Sequence, residues 1–408
     1  MSKLLMTRRR FLATTGCSVA ASPLLTPMAF ASAPWDTRLV VLILRGAMDG
    51  LDVVRPVGDP SFAATRPTLA AGDGLPLDGF FTLHPALAPL HPLWAKGELG
   101  FAHAVSTPYR DKRSHFDGQD LLEAGTGFDV TTGAARDGWL NRMLQAVPGL
   151  EADTAYAIGR EELLLLAGAA PVANWSPGTR LELSPQARRL IELVYEEHPV
   201  YQAAVLEALE LTEDIAAAEA LRAATGEDEA DTEMQAMMDE APGNAAHMQM
   251  AEFAVDRLRG DTRIAAFSLG GWDTHGNQAN TLPRALRQLS DVIGLLHAGL
   301  GPLWGKTGVL AMTEFGRTVR ENGSRGTDHG TGGLMVMAGG ALRGGKVHGR
   351  WPGLEEAALY DRRDLMPTED VRAYAARAME GLFGLSGTVL SGSVFPGLDF
   401  SAAPRLVF

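Results

Sequence analysis

The sequence predicts an α/β fold: a doubly wound, mostly parallel sheet with an inserted helical segment. Three observations predict it. Apolar runs of buried-strand length recur along the chain, segments with helical spacing of apolar residues separate them, and polar, glycine-rich clusters follow the runs, where open α/β sheets place their ligands.

The runs that read as buried strands are Leu39 to Leu44, Leu99 to Val105, Leu163 to Leu166, Ile264 to Leu269, Val309 to Met312 and Leu334 to Ala338. Between the fourth and fifth, Leu282, Leu286, Leu289, Ile293 and Leu296 keep the spacing of a helix packed on a sheet. The late segment Glu369 to Phe383 reads as a further helix. From about residue 191 to 245 the chain is rich in Ala, Glu and Leu, short of β-branched residues, and broken by the acidic run Gly226 to Asp231. That stretch is expected to be inserted helices, serving either as a lid over the site or as a solvated hairpin with no part in it.

At the N-terminus, Thr7, Arg8, Arg9, Arg10, Phe11 and Leu12 fit the pattern Ser/Thr-Arg-Arg-x-Phe-Leu that the twin-arginine translocase reads. An apolar run from Ala13 to Leu25 and the small-x-small triplet Ala29-Phe30-Ala31 complete a signal peptide. The run is shorter than a spanning helix, so cleavage after Ala31 is expected rather than a stable membrane anchor. The expected division is a signal over residues 1–31 and a periplasmic or secreted α/β domain over 32–408, with the translocase as its partner during export. Cys17 is the only cysteine and lies in the signal. The mature domain then has no disulfide, no thiolate metal site and no thiol catalysis, and any metal is held by His, Asp, Glu or backbone oxygen. Removal of the signal takes away Lys3, Arg8, Arg9 and Arg10 and no acid, moving the formal charge from −13 to −17. Such a surface repels nucleic acid and anionic lipid.

The candidate site residues follow the strands. The first strand runs into Arg45-Gly46-Ala47-Met48-Asp49-Gly50-Leu51-Asp52, where Asp49 is either a turn-stabilising acid or a metal ligand. After the second comes Arg113-Ser114-His115-Phe116-Asp117. Ser114 with Asp117 resembles a capping box, and a hydroxyl opening a helix is also placed to attack an anionic ester. Arg113 adds an anion clamp, and His115 a base or ligand. Gly270-Gly271-Trp272-Asp273-Thr274-His275 offers a carboxylate and an imidazole two residues apart, a pair suited to Zn, Mn or Fe. Thr313-Glu314-Phe315-Gly316-Arg317 brings an acid and an arginine, and Gly326-Thr327-Asp328-His329-Gly330 repeats the pairing of Asp with His. His84, His91 and His103 sit in apolar, proline-rich surroundings and read as packing residues, while His348 reads as a loop histidine.

Together, these segments and the export motif resemble the bacterial domain-of-unknown-function 1501 family, across nearly the whole mature chain. That family is grouped with the alkaline phosphatase and sulfatase superfamily, so the resemblance implies a fold of alkaline-phosphatase type. It also implies a metal-dependent hydrolase of phosphate or sulfate esters, or a non-catalytic ligand-binding or assembly protein built on the same fold. The implied cofactor is a divalent metal (Zn, Mn, Mg or Ca), and the implied partner an anionic small-molecule ester. In the superfamily's order of ligands, Asp49 or Asp52 takes the first place, Ser114 the nucleophile's, and Asp273 with His275 the third. One alignment then gives the fourth place to Glu314 and the late histidine to His329. In the other, Asp328-His329 is the fourth and His348 the late histidine. Phe315 stands where a second metal would require a histidine. The expected metal ligands are drawn from Asp49, Asp273, His275, Glu314, Asp328 and His329, and the expected catalytic residues are Arg113, Ser114, His115 and Arg317.

Overall fold

A computed structural model describes residues 33–127, 137–161, 163–177 and 246–408. The expected signal peptide and the expected helical insertion at 191–245 lie outside the described residues.

The first apolar run forms β1 (Arg38–Leu44), buried along its whole length. Its side chains divide between two cores. Val40, Leu42 and Leu44 face one, and Leu39, Val41 and Ile43 the other, as the two-residue period of a strand covered on both faces requires. The remaining runs form β2 (Leu99–Ser106), β5 (Ile264–Leu269), β6 (Thr307–Met312) and β7 (Gly333–Ala338). Two shorter strands, β3 (Ala155–Ile158) and β4 (Ala173–Trp175), extend one side, and two-residue strands β8 (Val347–His348) and β9 (Glu369–Asp370) pair with β2 at the other.

Among the described residues these nine strands make one sheet, in the order β8, β2, β7, β6, β1, β5, β3, β4 with β9 also on β2. β1 runs parallel to β5 and β6, and β3 parallel to β4 and β5. Only β7 opposes its neighbours β2 and β6. That single reversal shapes the site: the entry to β7 lies at the same sheet edge as the exits of β1, β2, β5 and β6.

Helices cover both faces. On one side α4 (Gln278–Leu300) buries the predicted stripe of Leu282, Leu286, Leu289, Ile293 and Leu296 and packs with α3 (Ala246–Arg259). On the other lie α2 (Trp139–Gln145) and α5 (Val371–Phe383). The last helix begins two residues later than the sequence predicts, because Glu369 and Asp370 pair with β2 and Asp370 then caps the helix at the Arg372 amide. The run Leu163 to Leu166 is a correction. It is no strand: Leu164–Leu166 form a 3₁₀ turn, Leu163, Leu165 and Leu166 pack into the second core, and Glu123 accepts the Leu165 amide. No described helix is long and apolar enough to cross a membrane.

Candidate metal centre

Three histidines and one aspartate converge at the shared sheet edge. Asp273 and His275 follow β5, His115 opens α1 (His115–Ala124) after β2, and His329 precedes β7. The Asp273 Oδ1 atom lies 3.2 Å from His275 Nε2 and 3.5 Å from His329 Nε2, and Oδ2 lies 3.7 Å from His115 Nε2. One ligand atom each from His115, Asp273 and His329 falls within 4.8 Å of the others.

What each ring does with its other nitrogen fixes its tautomer. His329 Nδ1 is 2.9 Å from the Arg113 carbonyl, which can only accept, so Nδ1 carries the proton. His115 Nδ1 is 2.7 Å from Glu314 Oε1 and His275 Nδ1 is 3.1 Å from Asp328 Oδ1. Both carboxylates are ionised. Burial pushes the Glu314 carboxyl up, but hydrogen bonds from His115, Gln119 and the Gly46 amide outweigh it and hold it below its ordinary value. Asp328 is held low first by the Asn322 amide and then, against burial, by His275. Each Nδ1 therefore donates, and in its neutral form each ring would turn an Nε2 lone pair toward Asp273.

The Nε2 atoms also approach one another. His275 Nε2 and His329 Nε2 are 2.9 Å apart, and His115 Nε2 is sealed from solvent without a hydrogen-bond partner among the described residues. With the proton of each ring at Nδ1, a cation between these atoms would bridge lone pairs that otherwise face each other. The donor set, three imidazoles and a carboxylate backed by hydrogen-bond acceptors, is the kind that holds a divalent transition metal and orients its histidines.

The arginine at this edge has a fixed job. Arg317 is buried, and its guanidinium donates to the carbonyls of Gly46, Ala47, Thr327 and Trp272 and, at 2.5 Å, to Asp273 Oδ1. Burial pushes the Asp273 carboxyl up, but the Arg317 hydrogen bond and charge outweigh it and keep it ionised. Close backbone approach makes this possible. Gly46 has φ +120°, and a Cβ there would sit 2.5 Å from the Asp273 amide nitrogen.

Of the expected ligands, Asp273, His275 and His329 come together. Glu314 and Asp328 stand one residue behind, holding His115 and His275. Asp49 lies elsewhere: its Oδ2 accepts from Arg66 and Gln278 at 2.6 Å each, in a buried network that Gln278 extends to Asp52. Asp52 in turn pairs with Arg55. Of the expected catalytic residues, His115 joins the cluster directly. Ser114 caps α1 by accepting the Asp117 amide at 3.4 Å, while its own amide donates to the Tyr109 hydroxyl. Arg113, at φ +54°, lends its carbonyl to His329 and leaves its side chain half-buried, 3.9 Å from Asp364. Phe315 is buried with its ring 5.2 Å from those of both His115 and His329. His348 lies in β8 with its ring near Tyr374, outside the cluster. Sequence reasoning missed Gln278, Asn322 and Gln119, and no local pattern marks them, since each matters only through the carboxylate it meets.

The sheet, its covering helices and this edge cluster define an α/β protein with a histidine-rich candidate metal centre. The chain belongs to the family described as protein of unknown function DUF1501, whose model matches residues 86–391. No curated protein matches it. Among solved structures it is similar to the C-terminal periplasmic domain of EcEptC from Escherichia coli in complex with Zn, at 11% identity and TM-score 0.32, covering 76% of this chain and 74% of that one. It is also similar to a protein in the alkaline phosphatase superfamily from Vibrio parahaemolyticus, at 10% identity and TM-score 0.32, covering 84% and 71%. A third is a mutant of TAB5 alkaline phosphatase with Mg bound, at 12% identity and TM-score 0.32, covering 74% and 91%.

Proposed function

We propose that the protein is a metal-dependent hydrolase of phosphate or sulfate esters, exported to the periplasm through the twin-arginine motif at Thr7 to Leu12. The observation that carries the reading is the convergence of three imidazole Nε2 atoms on the Asp273 carboxylate. His115, Asp273, His275 and His329 would hold one divalent ion. Bound there, such an ion supplies Lewis-acid polarisation of an ester oxygen and lowers the pKa of an adjacent hydroxyl or water.

The chain's own groups supply the rest. Asp328, Glu314 and the Arg113 carbonyl keep the three rings in the tautomer that leaves Nε2 bare. Arg317 holds Asp273 rather than the substrate, so the anion falls to Arg113, whose side chain is 37% exposed and only loosely engaged by Asp364. Ser114 stands at the start of α1, where unpaired amides and the helix dipole favour a developing negative charge. Its hydroxyl is the nucleophile in this reading. Among the described residues, Phe315 lies beside the rings of His115 and His329 and no histidine besides His275 does, which matches a donor set for one ion.

The test is turnover of generic aryl phosphates and sulfates by protein loaded in turn with Zn, Mn, Mg and Ca, together with Ser114→Ala and Asp273→Asn. Turnover abolished by both changes in folded protein supports the hydrolase. No turnover with any ion turns the assignment to a non-catalytic ligand-binding or assembly protein.

A further inference from the structure

A cleft of about 580 Å³ opens between the first turn of α3 and the N-terminal half of α4, with Asp273 on its wall. Met250, Leu269 and Ala285 give it an apolar lining. Two polar residues in the same lining are only lightly engaged among the described residues. His247 is 7% exposed, and neither ring nitrogen has a hydrogen-bond partner among the described residues; a long ion pair, 3.6 Å from Nε2 to Asp291, is what holds it. A buried imidazole held so keeps hydrogen-bonding capacity for a group from outside. Arg284 is exposed and, among the described residues, forms no ion pair, although the chain carries 49 acids against 36 basic residues. Arg45, Arg66 and Arg317 are each paired closely with a carboxylate, and Arg113 is 3.9 Å from Asp364.

Resting on the hydrolase reading above, we propose that this cleft takes the alcohol portion of the ester. The portion it fits is an apolar body bearing a second anionic group, which Arg284 pairs with, and a hydrogen-bonding group that reaches His247. The reacting phosphate or sulfate lies at the Asp273 end. Small esters without the second anion fill only that end and forfeit the cleft's contribution.

Phenyl and carboxyphenyl phosphate, and the matching sulfates, separate the two ends. With the full chain loaded with Zn, Mn, Mg or Ca, the carboxylated ester is expected to show a KM about tenfold lower than the plain one, as a charge-assisted pair gives. Arg284→Ala brings that ratio close to one, and Arg284→Lys keeps most of it. Equal KM values in the unmodified protein, or a ratio unmoved by Arg284→Ala, overturns the proposal. Absence of turnover with every ion defeats the hydrolase reading, and the cleft is then decided by calorimetric titration with carboxyphenol. A Kd weakened about tenfold or more by Arg284→Ala and raised by His247→Phe supports it. No binding, or equal Kd values, overturns it.

Discussion

His275 and His329 face each other through Nε2 atoms 2.9 Å apart while each donates its Nδ1 proton to an acceptor behind it. A divalent ion bound between them would replace that contact with shared coordination. At an ion concentration one hundred times Kd, stability rises by about 2.7 kcal/mol, and Tm rises with it. Calorimetric scans with and without Zn or Mn check this, and His329→Ala is expected to abolish the response. Asp328→Asn, which removes the charge behind His275, is expected to weaken ion affinity about ten- to a hundredfold. An Asp328→Asn protein with unchanged affinity would contradict the role given to that carboxylate.

The two arginines of the site separate cleanly by what they hold. Arg317→Met strands four backbone carbonyls and leaves Asp273 without its partner, so a loss of about 3–5 kcal/mol in denaturant unfolding is expected. Arg113→Ala removes one loosely held, half-exposed guanidinium and is expected to change stability by less than about 1 kcal/mol while raising KM for an anionic ester. Equal unfolding midpoints for the two variants would refute this division.

His103 provides the acid limit. It is buried in β2, its Nε2 bonded to the Val54 carbonyl and its Nδ1 accepting the Ala104 amide, so the neutral ring is fully satisfied. Burial pulls its pKa down to about 4. Below its ordinary value near 6.5 the unfolded chain takes a proton that the folded chain refuses, so stability falls with falling pH through the window from 6.5 to 4. The loss is about 3 kcal/mol across it. His103→Gln is expected to be less stable at neutral pH and to lose about one proton from the slope of stability against pH in that window. An unchanged slope would show that the ring titrates equally in both states.

Gly46 sets the distance between the first strand and the metal-site loop. Gly46→Ala places a methyl group 2.5 Å from the Asp273 amide nitrogen at a φ of +120°, which no alanine adopts without strain. A destabilisation of about 2 kcal/mol or more is expected, with a loss of ion affinity larger than stability alone explains. Chelator titration against unfolding curves distinguishes the two effects.

The strands were legible because a strand buried on both faces is apolar over most of its length, as β1, β2, β5, β6 and β7 are. Leu163 to Leu166 misled for the same reason: a buried turn that plugs a core needs leucines as much as a strand does. β3 escaped because Ala155-Tyr156-Ala157-Ile158 is short and half alanine. In the site, Asp273, His275 and His329 were readable from position, following or preceding strands among glycines. Whether Glu314 and Asp328 face the cluster or stand behind one of its histidines depends on about one side-chain length, which spacing does not encode. Arg317 shows the same limit from the other side. A guanidinium at a sheet edge reads as an anion clamp until burial assigns its N–H groups to carbonyls.

The four side chains of the cluster, Asp273 with the three histidines that meet it, come from the exits of β2 and β5 and the entry of β7, which share one edge because β7 runs against its neighbours. Only Asp273 and His275 are close in sequence, so binding of an ion by all four donors would wait for the assembled sheet. It would act as a late latch. An ion that binds the folded chain and not the unfolded one raises the free energy of global opening, so the most slowly exchanging amides of β1 are expected to gain protection on binding as well as the loops that touch the ion.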